Sequence, residues 1–284
     1  MKKRLALLFV LSVLAAMVLA GCKSEEEGSA NEEQADTTEA AAENGDKTLV
    51  VGFDASFPPY GYKDDNGEYV GFDLELAEEV CARNGWELVK QPIDWDAKDM
   101  EIESGTIDCI WNGFTMNGRE DDYTWSEPYV DNKQVFVVAA DSGIESFDDL
   151  AGKLVETQAD SSALKALQGE QKELADTFGQ LTEIAEYNTA FMDLESGACD
   201  AVAMDIGVAY YQINTRDNSE DFKILDGEIS LEQYGIGFKK GNTELRDQVQ
   251  ATLDEMAADG TVEKIAEKYA DYSVAEYLSI GADK

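Results

Sequence analysis

From Thr48 onward, short apolar runs alternate with segments in which apolar residues recur every three or four positions. The runs predict strands over 49–53, 86–90 and from 107, and the periodic segments between them predict helices over 73–83 and 98–104. A second stretch repeats the alternation, with strands over 135–140, 154–156, 183–187 and 201–204, and helices starting at 162, ending at 196 and starting at 206. A strand over 234–238 and closing helices over 244–258 and 262–269 complete the pattern. This order argues for an α/β chain built on largely parallel sheets. Asp64-Asp65-Asn66-Gly67, between β-rich flanks, predicts a hairpin turn. Its acids do not follow the spacing of a calcium loop.

One segment echoes another. Met100-Glu101-Ile102-Glu103-Ser104-Gly105-Thr106-Ile107-Asp108 returns as Met192-Asp193-Leu194-Glu195-Ser196-Gly197-Ala198-Cys199-Asp200. In each copy a helix is expected to stop at the glycine and a strand to start near the aspartate. Two lobes of similar build would account for both copies.

The N-terminus follows a different pattern. Lys2, Lys3 and Arg4 precede an apolar run over 5–20 that ends in Leu19-Ala20-Gly21-Cys22. The run is too short to span a membrane and reads as a secretory signal peptide over 1–21. The cysteine after the small pair resembles a bacterial lipobox, which implies lipidation of Cys22 and an extracytoplasmic, membrane-anchored location. Residues 23–46 contain no aromatic residue and no aliphatic one except alanine, so an acidic, unstructured tether is expected over 22–46.

Charge narrows the partners. Nine acids and one lysine give the tether a net −8, and the three N-terminal cations add +3, so residues 47–284 carry −33 of the total −38. Such a surface disfavours nucleic acid and anionic lipid and favours cationic ligands in a cleft. The chain has no histidine, which removes Ser-His and Cys-His nucleophile pairs and the commonest metal ligand. No metal site and no cofactor are expected. Cys81 and Cys109 fall in apolar patterns that read as core, while a disulfide between them stays open.

Three constellations carry candidate chemistry. Phe53-Asp54-Ala55-Ser56-Phe57-Pro58-Pro59-Tyr60 places an aspartate at a strand end before an aromatic, proline-fixed loop. Strand C-terminal ends are where open α/β sheets bind ligands, although a turn with core aromatics fits equally. Trp111-Asn112-Gly113-Phe114-Thr115-Met116-Asn117-Gly118-Arg119 also follows a strand. There Gly113 permits close backbone approach, Thr115 offers a hydroxyl and Arg119 a planar fork for a carboxylate. Asp160-Ser161-Ser162 sits at a helix start, where it caps the helix or binds an anion. Asp205, at another strand end, can hold an ammonium group or cap the next helix.

In order along the chain, Asp54 to Tyr60, Val70-Gly71-Phe72-Asp73, Gly105 to Asp108, Arg119 to Pro128-Tyr129, Asp149-Leu150-Ala151-Gly152-Lys153, Asp200 to Asp205 and Tyr234-Gly235-Ile236-Gly237-Phe238 resemble the extracellular solute-binding proteins of polar amino acid ABC uptake systems. The resemblance runs from about Leu49 to Tyr269. It implies a type II periplasmic binding protein fold of two lobes joined by two hinge crossings. Lobe one would be 47–130 with 234–284 and lobe two 131–233, with hinges near 129–134 and 231–234.

Carried over by position, the resemblance implies that Arg119, with Thr115 and the Ser162 backbone, clamps an α-carboxylate, while Asp205 and the Gly113 carbonyl take the α-ammonium. Phe57 and Trp95 would sandwich the side chain, with Asp54 and Gln158 at its tip. The Gly113 to Arg119 loop is one residue shorter than the family pattern. A zwitterion leaves water for such a cleft only if each charge meets its opposite. Asp54 beside aromatic faces favours a basic or neutral polar side chain over an acidic one. The implied function is capture of an amino acid by a monomer that delivers it to a membrane permease, without catalysis. The alternatives are an envelope dehydratase of the same fold, acting on prephenate or arogenate, and a subunit that presents ligand to a receptor.

Overall fold

The computed structural model describes residues 47–281. The expected leader, lipidated Cys22 and tether lie outside the described residues. β1 (Thr48–Phe53) is followed by a small antiparallel sheet of β2 (Ser56–Phe57), β3 (Gly61–Lys63) and β4 (Tyr69–Val70). Its β3–β4 turn carries Asn66-Gly67 as expected, and the Asp64 carboxylate accepts from Asn66 N and Glu68 N at 2.9 and 2.8 Å. Next come α1 (Phe72–Asn84), β5 (Glu87–Pro92), α2 (Lys98–Ser104), β6 (Cys109–Ile110), β7 (Thr124–Trp125) and the long β8 (Val130–Ala139). The chain continues through β9 (Leu154–Gln158), α3 (Ser162–Gln168), α4 (Lys172–Ala175), β10 (Gln180–Ile184), α5 (Tyr187–Ser196), β11 (Ala201–Asp205) and α6 (Ile206–Asn214). It closes with β12 (Phe222–Ile224), β13 (Ser230–Tyr234), β14 (Gly237–Phe238), α7 (Thr243–Ala258) and α8 (Thr261–Glu267).

Two larger sheets result. One runs β5-β1-β6-β14-β7 and the other β10-β9-β11-β8-β12, with β13 also paired to β8. In the first, β1 lies between β5 and β6; in the second, β9 lies between β10 and β11; the three strands of each set are parallel. The sequence echo marks this correspondence. Gly105 and Gly197 both cap their helices in the left-handed region, at φ 79° and 76°. Asp108 and Asp200 then each accept a backbone N–H of the neighbouring parallel strand, from Val50 in β1 and from Leu154 at the start of β9, both at 2.8 Å.

Side-chain alternation explains the burial of the second sheet. Ala201 and Ala203 pack with Phe136, Val138, Leu150 and Leu167 on one face, while Val202 and Met204 join Val135, Val137, Phe191 and Val208 on the other. Helices cover the first sheet with Leu76, Val80, Val249, Leu253 and Ile265. Cys81, Cys109 and Cys199 are buried free thiols in these packed regions.

Two predicted strands differ from the structure. The run at 183–187 is strand only to Ile184, because Tyr187 opens α5 and buries its ring; β10 starts earlier, at Gln180. The run at 234–238 splits between two sheets: Tyr234 ends β13 against β8, whereas Gly237 and Phe238 pair with β6 and β7. Periodicity within one apolar run carries no mark of such a change of partner.

Candidate functional site

The C-terminal ends of β1 and β6 in one sheet face those of β9 and β11 in the other, and all nine predicted site residues lie there. One cavity is lined by Phe57, Trp95, Asn112, Gly113, Thr115, Gln158, Ser161, Ser162 and Asp205. Asp54 lines an adjoining cavity reached past Trp95, and Arg119 lines a third that shares Ser161. The central space is about 10 Å³, room for about one water, so an amino acid enters only if the walls part.

Strand ends hold each group in place. Asp54 N donates to Asn112 Oδ1 at 3.0 Å, tying the loop after β1 to the loop after β6. The Asp54 carboxylate accepts from Ser56 N at 2.7 Å and, across the cleft, from Gln158 Nε2 at 2.7 Å. Burial pushes its pKa up to about 6, against the lowering effect of those bonds. Phe57 and Trp95 are parallel to within 1°, with ring centroids 6.5 Å apart. Parallel aromatic faces of this kind suit a planar or cationic side chain.

Gly113 sits at φ 53°, and a Cβ there would fall 2.9 Å from the Phe57 ring and 3.1 Å from that of Tyr234. Its N–H donates to the Asp73 carboxylate at 2.5 Å, which also accepts from Tyr129 Oη at 2.8 Å. Asp73, at the start of α1, therefore fixes the loop whose carbonyl is the candidate ammonium acceptor. Burial raises its pKa to about 7.

Arg119 is buried. Its guanidinium donates to Thr115 O at 3.2 Å, Asp160 O at 3.2 Å and Ser162 Oγ at 3.4 Å, and stands 5.3 Å from the centre of the Phe114 ring. Ser161 caps α3, its Oγ accepting from Leu164 N at 3.1 Å, which leaves Ser162 as the first helical residue on the cavity wall. Lys98, 1 % exposed, donates to Asp160 from the other side of the cleft. Lys165 donates to Gly118 O.

Asp205 ends β11, and its Oδ1 accepts from Asn132 Nδ2 at 2.8 Å, Gln134 Nε2 at 2.6 Å and Tyr234 Oη at 2.5 Å. Burial, and then the nearby Glu232 carboxylate, raise its pKa to about 7. Sequence reading did not single out Asn132, Gln134 or Glu232. Little in the sequence marks them, since Asn132 and Gln134 lie in the polar run Asp131-Asn132-Lys133-Gln134; what sets them apart is that 132, 134 and 232 are buried on one face of the paired strands.

The surroundings are polarised. At one end the cavity wall mixes Lys98, Arg119 and Lys165 with Asp99, Asp122 and Asp160. At the other, a cavity of about 380 Å³ has Asp54, Asp94, Asp96, Glu183 and Glu186 in its wall and neither lysine nor arginine. Among the described residues no group of three or more Cys, Asp or Glu is placed to hold a metal ion.

Residues 49–272 match the family model "Bacterial extracellular solute-binding proteins, family 3". The arginine-binding extracellular protein ArtP of Bacillus subtilis is 30 % identical over 236 residues, 82 % of this chain and 90 % of that protein. The L-cystine-binding protein TcyA of the same organism is 27 % identical over 97 % of this chain and all of that protein. A crystal structure of an ABC uptake transporter substrate-binding protein from Streptococcus pneumoniae, with bound histidine, superposes with a TM-score of 0.77 at 30 % identity, covering 80 % of this chain and 94 % of that one. These relatives are binding proteins, their solved fold is the type II arrangement of two lobes, and this chain belongs to the bacterial extracellular solute-binding proteins, family 3.

Proposed function

We propose that this protein captures an L-α-amino acid with a cationic side chain between two lobes and delivers it to a membrane ABC permease. Arginine, lysine and ornithine are the class in question. In this reading Arg119, Thr115 and the Ser162 backbone take the α-carboxylate, and Asp205 and the Gly113 carbonyl take the ammonium. The side chain passes between Phe57 and Trp95 toward Asp54 and Gln158. The observation that carries it is the contrast between the two ends of the cleft: at the Arg119 end Lys98, Arg119 and Lys165 are balanced by Asp99, Asp122 and Asp160, whereas the Asp54 end has acids and neither lysine nor arginine. A guanidinium or ammonium there meets opposite charge, whereas the distal carboxylate of glutamate would meet like charge and the zwitterionic distal end of cystine brings no net positive charge. Glutamine could hydrogen-bond with Asp54 but lacks the charge.

The lobes are assigned to 47–130 with 234–284 and to 131–233, with the antiparallel β8 and β13 as the crossings. The protein acts as a monomer, is held to the outer face of the membrane by lipid on Cys22 and makes or breaks no bond. A thermal-shift panel of arginine, ornithine, lysine, histidine, glutamine, glutamate and cystine tests the specificity. A ligand bound only to the folded state at 100 times its Kd adds about 2.7 kcal/mol of stability, a shift of several degrees. The basic amino acids should give the largest shifts, and Arg119→Ala should remove them. Glutamate as the strongest stabiliser would contradict the assignment of Asp54, and cystine as the strongest would contradict the choice of a basic ligand.

A further inference from the structure

Behind the candidate ammonium site, two buried carboxylates share the same donors. Asp205 and Glu232 are 4 % and 5 % exposed. Asn132 Nδ2 donates to Asp205 Oδ1 at 2.8 Å and to Glu232 Oε1 at 2.6 Å. Gln134 Nε2 also donates to both oxygens. Oxygens held by the same two nitrogens lie inside the roughly 4–6 Å over which like charges suppress each other's ionisation.

The groups facing the pair do little to relieve that repulsion. Tyr234 donates its hydroxyl to Asp205, and Tyr60 and Tyr187 are buried neutral phenols nearby. Asp73, whose carboxyl burial also raises to about 7, acts on Tyr60 through space. Thr115 hydrogen-bonds Glu232, and Arg119 acts on it through space. Lys165 lines a surface groove with Glu232 but gives its ammonium to Gly118 O. Among the described residues neither carboxylate lies within ion-pair distance of a lysine or arginine. Two adjacent anions with neutral contact partners are costly to keep ionised inside a protein. A proton on one of them removes that cost, and so does a ligand cation against Asp205.

We propose that Asp205 and Glu232 hold one proton between them while the cleft is empty, and that the ligand's ammonium displaces this proton to bulk water. Glu232 is then a positioning residue, which makes the ammonium site demand a cation and couples amino-acid capture to loss of a proton. The inference rests on the assignment of the ammonium to Asp205. The raised pKa values of both groups agree with it. Affinity should fall by up to tenfold per pH unit below the pair's upper titration step.

The test is calorimetric titration of the full chain with L-arginine, none of whose groups titrates between about pH 5.5 and 7.5. Two buffers of different ionisation enthalpy report the protons released. Near pH 6 the wild type should release close to one proton per arginine from the pair, beyond the fraction that Asp54, with a pKa of about 6, gives up to the same ligand and that Asp54→Asn measures. Near pH 8.5 it should release none, the arginine α-amino group there taking up a fraction of a proton. Glu232→Gln should still bind arginine but release measurably fewer protons near pH 6, because burial alone, without the like charge, then holds the Asp205 carboxyl up. Binding with equal heats in both buffers near pH 6 would overturn the proposal and leave the proposed function standing. So would proton release unchanged in Glu232→Gln, the result expected of a merely structural residue. If arginine produces no heat, the functional reading fails at that ligand, and carbon-13 carboxyl titration of the empty protein decides the pair. An Asp205 midpoint above about pH 6 that drops in Glu232→Gln supports proton sharing, and midpoints below about pH 5 for both acids refute it.

Discussion

At the scale of single residues, the cleft depends on a few groups whose conformation or ionisation is set by burial. Gly113→Ala would place a methyl group at a positive φ and against two aromatic rings, so a loss of about 1–3 kcal/mol in stability and of ligand-induced stabilisation is expected. Chemical denaturation with and without arginine measures both effects. Asp54→Asn removes one charge from the acid-lined end, and competition binding should show arginine weakened tenfold or more while glutamine is little changed. An equal loss for both would mean that Asp54 supports the loop through Ser56 and Asn112 rather than selecting the ligand.

Burial is also the first cause of the raised pKa values of Asp54, Asp73 and Asp205, at about 6, 7 and 7. In the unfolded chain these carboxyls titrate near 3.9. Between about pH 4 and 7 the native state therefore binds more protons than the unfolded state, and stability falls as pH rises through that window. The ligand-free protein should melt several degrees higher at pH 5.5 than at pH 8. Scanning calorimetry showing a lower melting temperature at pH 5.5 would contradict the protonation assigned to these acids.

At the scale of elements, much of the architecture was legible in the sequence. The helix over 98–104, the Asn66-Gly67 hairpin and the Gly-then-Asp turns of the internal echo follow from local rules of periodicity, turn chemistry and capping, and they appear where those rules place them. The boundary at Tyr187 and the break after Tyr234 depend on which sheet a residue packs against, which no local pattern records. The same holds for the site. The strand-end residues Asp54, Gly113 and Asp205 stand out by their position, whereas Glu232 matters only because β13 pairs with β8 and sets it opposite Asn132.

Contacts between elements of the two sheets add a second expectation. Lys98 at the start of α2 donates to Asp160 before α3, Lys165 in α3 donates to Gly118, and Gln158 at the end of β9 donates to Asp54. These bonds join the cleft walls directly. Lys98→Ala should weaken closure by about 1.5–3 kcal/mol, the range for a hydrogen bond to a charged group. Small-angle scattering of the ligand-free variant should show a larger radius of gyration than the wild type, with arginine restoring a common value. Identical ligand-free profiles would mean that the pair does not hold the walls together.

At the scale of the whole molecule, two sheets with the same order of parallel strands present corresponding strand ends to each other. The ends of β1 and β9 meet through Asp54 and Gln158, and those of β6 and β11 supply Gly113 and Asp205 to one cavity. β8 and β13 run antiparallel beside this cavity, and the isolated bridge between Thr115 and Tyr234 joins the ligand loop to β13. A change in the angle between the sheets would therefore move the carboxylate and ammonium sites together, which is the behaviour expected of hinge closure. The most direct measurement is a crystal structure of the protein with L-arginine. The account predicts the α-carboxylate on Arg119, the ammonium on Asp205 and the guanidinium between Phe57 and Trp95, facing Asp54. Arginine with its side chain directed toward Arg119 and Lys98, or bound outside the cleft, would contradict it.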